Sequence, residues 1–499
     1  MDASSTQNPD SPAEKRICDC CVGESYLKGL MGSGGTTGIC SYCEEESKTF
    51  TINQLADLIE TAFDAHYERT PTEPEGFEAT MHYDRESNYT WRRRGQEVLW
   101  AISDAAEIDE AAAGDVLSVL QDRHFDHEKA KMGDESEFDS DSHYARKDPG
   151  CDELSERWRE FENSLKTEAR FFSRSAQGTL DDIFADLADL RTSEGKPVLV
   201  TVGPEEEIKF AHRARVFAAE DEKLAEALKF PWKHLGPPPM QAASAGRMNA
   251  LGIAVFYGAF EPTTALAEVR PPVGSKAVVS KFIFERRLRL LDVEALKSVA
   301  IAGSIFDPKH LGQLQRARFL EILSARISQP VMPNEEAFEY LATQAVADYL
   351  ATEASLDGII FPSVQVGHAS SNVVLFHHAS RVAEVQIPNG TEVTAILEQR
   401  DSDGVTPDYE VWEEVPSPSP ENAASEPDLM SLAKKFWQEQ FPEFCDKRQP
   451  SLKIDLASIT VHHVTAASFT TEEYPVGRHQ TVQPPKDGPF NAPQQNIFE

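Results

Sequence analysis

Basic side chains are scarce: 48 Lys and Arg stand against 83 Asp and Glu in 499 residues, a net charge of −35. A surface that holds nucleic acid clusters its Lys and Arg, so this balance argues against one, and equally against docking on an anionic membrane. No apolar run reaches the ~18–20 residues that would span a bilayer. The polar opening MDASSTQNPDSPAEKR has no apolar core of signal-peptide type, and a cytoplasmic protein is the expectation. Cysteine is sparse too. Seven is an odd number, and so few in so long a chain do not make a disulfide scaffold. No internal repeat is evident. At 40% hydrophobic content, this length accommodates two to four domains with sizeable cores.

What cysteine there is lies unevenly. Five of the seven fall in the first 43 residues, whereas Cys151 and Cys445 stand alone. Cys18 and Cys21, then Cys40 and Cys43, give C-x2-C twice, separated by eighteen residues. Each pair can form a knuckle offering two thiolates to one tetrahedral Zn2+, and a site with four protein ligands is closed and structural. Cys20 could replace one ligand of the first pair. A redox role is disfavoured, because no strand–helix pattern surrounds either pair.

Residues 1–16 are expected to be disordered, and residues 17–128 to form a zinc-knuckle and helical domain. Thr51 and Gln54 match a capping box, and Ile52, Leu55, Ile59, Phe63 and Tyr67 share one helical face. Further helices are expected over residues 95–104 and 108–125. Arg123 beside His124 and His127 raises an RNase-like pairing, which the acidic surroundings disfavour. Residues 129–150, polar and acidic, read as a linker, and residues 151–195 as connecting amphipathic helices. From residue 196 to 400, strands alternate with helices. The clearest strand is Ala277-Val278-Val279-Ser280-Lys281-Phe282-Ile283-Phe284. Residues 401–428, rich in Pro, Ser and Glu, read as an exposed loop, 429–475 as a returning strand segment and 476–499 as a mobile tail.

The chemically loaded stretch is 244–271. Arg247 and Asn249 sit in a Gly-rich turn, Ile253 to Tyr257 reads as a buried strand, and Glu261-Pro262 opens a helix that carries Glu268 and Arg270. Neither strand nor helix formation requires an Arg, an Asn, a Tyr and a Glu here. Together with His-Arg-Ala-Arg at 212–215, and Gly-Ile-Ile-Phe-Pro-Ser at 358–363 before Asn372, the order and spacing resemble the RES domain family. The resemblance covers about two-fifths of the chain. The N-terminal cysteine-containing region resembles the HEPN/RES-type accessory domain that precedes some toxin domains.

The resemblance implies an α+β fold with a core similar to ADP-ribosyltransferases. It also implies a toxin of a toxin–antitoxin pair that breaks down NAD+ by phosphorolysis or hydrolysis, with an antitoxin protein as possible partner. The residue chemistry agrees. Breaking the nicotinamide–ribose bond develops oxocarbenium character, which a nearby carboxylate stabilises, and Glu268 is the candidate. Arg213 and Arg247 are matched to a pyrophosphate, and the same field would attract free phosphate. Tyr257 would stack on nicotinamide or bond a ribose hydroxyl. Ser363 and Asn372 would hold nicotinamide or ribose by hydrogen bonds. The expectation is thus Glu268, Arg247 and Ser363 as catalytic, with Arg213, Asn249, Tyr257 and Asn372 binding substrate. Arg215 and Arg270 are expected to be structural partners, and His212 is not expected to be a base. The alternatives are ADP-ribose transfer to a macromolecule, an inactive RES-like interaction protein with a zinc module, and, third, a nuclease.

Overall fold

Thr51 caps the helix Ile52–His66 reciprocally: its hydroxyl accepts from the Gln54 N–H at 3.2 Å, and Gln54 Oε1 accepts from the Thr51 N–H at 2.9 Å. Ile52, Leu55, Ile59 and Phe63 are buried on its inner face, and Tyr67, just past the helix, stacks on Phe63 at 4.3 Å. The computed structural model describes residues 12–84, 87–168, 170, 173–218, 220–329, 331–332, 335–367, 370–401, 404–416, 446–468 and 470–480. Among these, no helix is long and apolar enough to cross a membrane.

Around this helix pack Val98–Ala106 and Glu110–His124, with a small sheet on either side. The first sheet is β1 (Arg16–Cys18), β2 (Thr36–Ile39) and β3 (Glu46–Thr51), in the order β1-β3-β2. The second is β4 (Tyr67–Arg69), β5 (Gln96–Glu97) and β6 (His143–Arg146), in the order β4-β6-β5.

The second sheet corrects the reading of 129–150 as a linker. Phe138 and Tyr144 lie 2% and 4% exposed against Phe63, and Glu135 takes both Nη atoms of Arg93 at 2.6 Å. The acidic residues that suggested a linker face outward or pair, while two aromatic rings bury the segment. Residues 12–16 are likewise structured, as a 3-10 turn (Pro12–Glu14) followed by Lys15 Nζ on Asp115 at 2.8 Å. Residues 1–11 lie outside the described residues.

The larger sheet has eight strands. They are β7 (Leu199–Val202), β8 (Phe210–Phe217), β9 (Phe256–Ala259), β10 (Lys276–Phe284), β11 (Leu288–Asp292), β12 (Gly358–Pro362), β13 (Ser371–Leu375) and β16 (Leu452–His463). The order is β16-β10-β8-β9-β13-β12-β11-β7, and only β11 with β12 is parallel. The mixed helix and sheet content is that of an α+β protein.

Side-chain alternation along the strands sends Ile359 and Val374 to one face and Ile360 and Val373 to the other. The helices Asp152–Thr167, Arg174–Ile183, His310–Ser328 and Glu336–Thr352 cover the first face. Asp221–Lys229 and Pro231–His234 cover the second. Phe306, in the loop before His310, reaches across into the N-terminal core.

Residues 404–414, read from the sequence as part of a loop, form a strand. β14 (Glu392–Asp401) and β15 (Gly404–Glu414) form an antiparallel hairpin, with Ala395, Leu397 and Tyr409 against the second face of the sheet. Acidic residues at alternate outer positions masked the two-residue period in the sequence. Residues 417–445, including Cys445 and the first part of the expected strand segment, lie outside the described residues, as do 481–499. Strand β16 was expected within 429–475, and residues 476–480 are exposed and carry no regular structure.

Candidate active site

The expected strand from Ile253 to Tyr257 starts later, at Phe256, because Asn249 holds the preceding residues as a loop. Its Nδ2 donates to the carbonyls of Ser244 (2.9 Å), Ile253 (2.9 Å) and Ala250 (3.2 Å). Its Oδ1 accepts from the Tyr257 hydroxyl at 2.8 Å. That hydroxyl also accepts from the Met248 N–H at 3.0 Å, and burial pushes the Tyr257 phenol up to about 12. Gly246 is required here: a Cβ would lie 2.7 Å from both Asn249 Oδ1 and the Tyr257 hydroxyl. Asn249, 4% exposed, is therefore spent on the turn and is not among the residues that line the cavity beside it.

Beside this turn is a cavity of about 470 Å3 lined by Arg213, Arg247, Tyr257, Glu268, Arg270 and Asn372, among others. Its size falls in the range of small-ligand sites. Glu268 ends the short helix Pro262–Glu268, which Pro262 opens without losing a needed N–H. Glu268 Oε1 accepts from Ser363 Oγ at 2.6 Å and from Asn372 Nδ2 at 2.7 Å.

The sheet makes this convergence possible. Asn372 in β13 sits between Phe361 of β12 and Ala259 of β9, and Ser363 follows directly on β12. Ser363 is fully buried, does not line the cavity and reaches it through Glu268, so it holds the carboxylate rather than a substrate. Asn372 Oδ1 is buried with no hydrogen-bond partner, as is Ser328 Oγ on the same cavity. Buried polar atoms are rarely left unpaired, and such atoms on a cavity wall are vacant ligand contacts.

The arginines divide. Arg213, on β8, has a buried Nη1 with no partner and lies 5.4 Å from the Phe256 ring. Burial, then the nearby Arg215 charge, pushes its guanidinium down to about 10, still cationic at neutral pH. Arg247 instead donates from Nη1 to the Ile327 carbonyl and from Nη2 to the Gln329 carbonyl at 2.6 Å, bracing the end of the helix that carries Ser328. Two of its five donors are thus taken, and the others remain on the cavity that it lines.

Arg215 points elsewhere, to the His234 carbonyl, and His212 donates from Nδ1 to the Phe260 carbonyl at 2.9 Å. Arg270 lines the cavity and makes no side-chain hydrogen bond or ion pair among the described residues, so the expected structural partner is not there. Ser328, Tyr340 and Gln365 also line it. Sequence reading missed them because nothing in their local sequence sets them apart. Their helix and loop come to the cavity only in the fold.

Away from this cavity, the sulfurs of Cys18, Cys21, Cys40 and Cys43 all lie within 4.8 Å of one another. Cys18 to Cys43 is 3.5 Å and Cys40 to Cys21 is 3.8 Å. A tetrahedron of Zn–S bonds of about 2.3 Å has sulfur–sulfur edges of about 3.8 Å, so this set fits a tetrahedral metal ion. Arg123 and His124 are both held by Glu60, at 2.6 and 2.7 Å, in an ordinary ion-pair cluster.

Residues 214–398 match the RES domain, and residues 33–178 match the HEPN/RES N-terminal domain 1. No curated protein sequence matches the chain. Among solved structures, a chain in the crystal structure of the M. tuberculosis MbcT–MbcA toxin–antitoxin complex is similar at 14% identity. The match covers 34% of this chain and 75% of that chain, with a TM-score of 0.18, too low to compare the folds.

Proposed function

We propose that this chain, a RES domain behind a HEPN/RES N-terminal domain, is an NAD+-consuming enzyme that breaks the nicotinamide–ribose bond. The observation that carries the reading is the Glu268 carboxylate on the cavity wall. Ser363 and Asn372 hold one of its oxygens, and no group among the described residues bonds the other. As the C–N bond lengthens, its electron pair moves to the pyridinium nitrogen and nicotinamide leaves neutral. Positive charge builds on the ribose, where a fixed carboxylate lowers the barrier more than it stabilises the bound substrate. Water or phosphate then bonds to the anomeric carbon. The products are ADP-ribose with release of a proton, or ADP-ribose 1-phosphate.

In this reading Arg213 meets the pyrophosphate, and Asn372 Oδ1 accepts from a ribose hydroxyl or the carboxamide. Tyr257 supplies an aromatic wall, and Arg247 keeps the helix end in place. The core is expected to be similar to ADP-ribosyltransferases. As in the family that the sequence resembles, the enzyme would act as a toxin in the cytoplasm, checked by an antitoxin protein. We further infer that Cys18, Cys21, Cys40 and Cys43 hold a structural Zn2+, which would tie β1 to the turn between β2 and β3. Zinc chemistry plays no part in the reaction.

The test is NAD+ loss by purified protein, with and without phosphate, using adenylate-labelled substrate. Nicotinamide release with label in ADP-ribose or its phosphate supports the reading, and phosphate dependence separates the two reactions. Intact NAD+ at high enzyme concentration would sink it. Label retained on protein would turn it into a transfer reaction.

A further inference from the structure

The charge on this cavity is unusual for the chain around it. Acidic residues outnumber basic ones 83 to 48, and most guanidiniums with free donors find a carboxylate or carbonyl. Two on the cavity do not. Arg213 keeps a buried, unpartnered Nη1, and Arg270 makes no side-chain hydrogen bond or ion pair among the described residues. Glu268 stands two residues from Arg270, yet its Oε1 is turned to Ser363 and Asn372. Arg247 cannot serve as their equal, because it is tied to the Ile327 and Gln329 carbonyls.

The backbone at Arg270 sharpens the point. It has φ +43, just past the end of the helix Pro262–Glu268, a left-handed position that glycine fills without strain and arginine does not. An arginine held there without an intramolecular partner is a conformational cost with no structural return, the pattern expected where a side chain serves a ligand.

We propose that Arg270 grips a phosphate oxyanion at the outer part of the cavity and, with Arg213 at the inner part, makes the site selective for a phosphate-bearing ligand. Two guanidiniums, one exposed and one buried, suit the diphosphate of a dinucleotide running inward. They equally suit a nucleotide phosphate inside with free phosphate outside. Glu336 and Glu268 on the same wall disfavour any anion not held by both arginines. The inference rests on the NAD+-cleaving reading for the identity of the ligand, not for the existence of the grip.

The test measures binding without turnover. Calorimetric titrations of the full chain with ADP, adenosine and inorganic phosphate would compare wild type, R270K and R270G, alongside thermal unfolding. The expected result is an ADP affinity at least tenfold weaker in R270G and partly restored in R270K. Adenosine binding would be unchanged, and Tm equal to or above wild type, since glycine relieves the backbone. A purely structural arginine would show the reverse, a lower Tm with ADP affinity intact.

If phosphate affinity falls instead of ADP affinity, the oxyanion at Arg270 is the free acceptor rather than the diphosphate. Unchanged affinity for both in R270G, or a wild type that binds ADP no better than adenosine, overturns the proposal. A wild type that binds ADP through Arg270 but leaves NAD+ intact sinks the cleavage reading and leaves this one standing.

Discussion

Asn372 Nδ2 donates to Glu268 Oε1 at 2.7 Å across 104 residues of chain. With the Ser363 hydroxyl on the same oxygen, it aims a carboxylate that would otherwise rotate freely at the end of a seven-residue helix.

Glu268→Gln keeps the shape and the acceptor oxygen for Ser363 and Asn372 but removes the charge. NAD+ cleavage should fall about 100- to 1000-fold, the range for losing one aimed electrostatic contact, with Tm within a degree or two of wild type. Steady-state kinetics beside a melting curve check it. Retained activity removes Glu268 from the reaction.

Ser363→Ala should lower kcat about tenfold with little change in KM, because one of two hydrogen bonds to a charged group is lost. Acting through Glu268, it should add little in the Glu268→Gln background. The double-mutant cycle tells the two apart, since full additivity would mean that Ser363 works independently of the carboxylate.

Asn249→Ala should act on stability rather than on substrate affinity. It leaves the Tyr257 hydroxyl and the Ser244 and Ile253 carbonyls short of a partner, a loss of about 2–4 kcal/mol if most stay buried. Denaturant unfolding measures the loss, and calorimetric ADP titration of the folded fraction should match wild type. A weaker titration with normal stability would return Asn249 to the substrate.

One zinc per chain is expected by elemental analysis. Cys40→Ser should lose it and lower the unfolding temperature, because metal binding is coupled to folding of a small module. Metal-free wild-type protein with an unchanged melt would rule the site out.

Stability should decline as pH drops below about 6.5. His66 and His310 are each 6% exposed, with ring centroids 5.8 Å apart. Burial first holds both pKa values below the usual 6.5; at His66 the His310 and Arg146 charges add to it, and at His310 Arg146 adds to it while Asp307 favours the proton without offsetting burial. With the folded value below the unfolded one, the unfolded chain takes up protons first as pH falls, so stability present above about 6.5 is lost towards pH 5. Urea unfolding at pH 7.5, 6.5 and 5.5 tests this, and His310→Phe should flatten the slope. An unchanged slope would place the acid sensitivity elsewhere.

Much of this was legible in the chain. The capping box at Thr51 and the apolar period after it set the first helix, because both signals are local. The two C-x2-C pairs brought four sulfurs to tetrahedral spacing, and the order of Arg213, Arg247, Asn249, Tyr257, Glu268, Ser363 and Asn372 resembled the RES domain, which residues 214–398 match. Polar composition misled where burial came from a few residues. Phe138 and Tyr144 fold the supposed linker, and Tyr409 seats part of the supposed loop beside Ala395 and Leu397 of the preceding strand.

The sequence by itself determined which residue types were available for the site and in what order they come. Only the tertiary structure decided their duties, because a side chain's role depends on which donors and acceptors remain unspent once the chain has closed around it. Asn249 was consumed by backbone carbonyls, Arg247 gave two donors to them, and Ser363 bonds Glu268. Arg270, which looked structural, was left on the cavity wall without a side-chain partner among the described residues. For Arg247 and Ser363 no local pattern records that difference, since their partners lie 80 to 95 residues away in the chain, whereas those of Asn249 lie within eight residues in the turn itself.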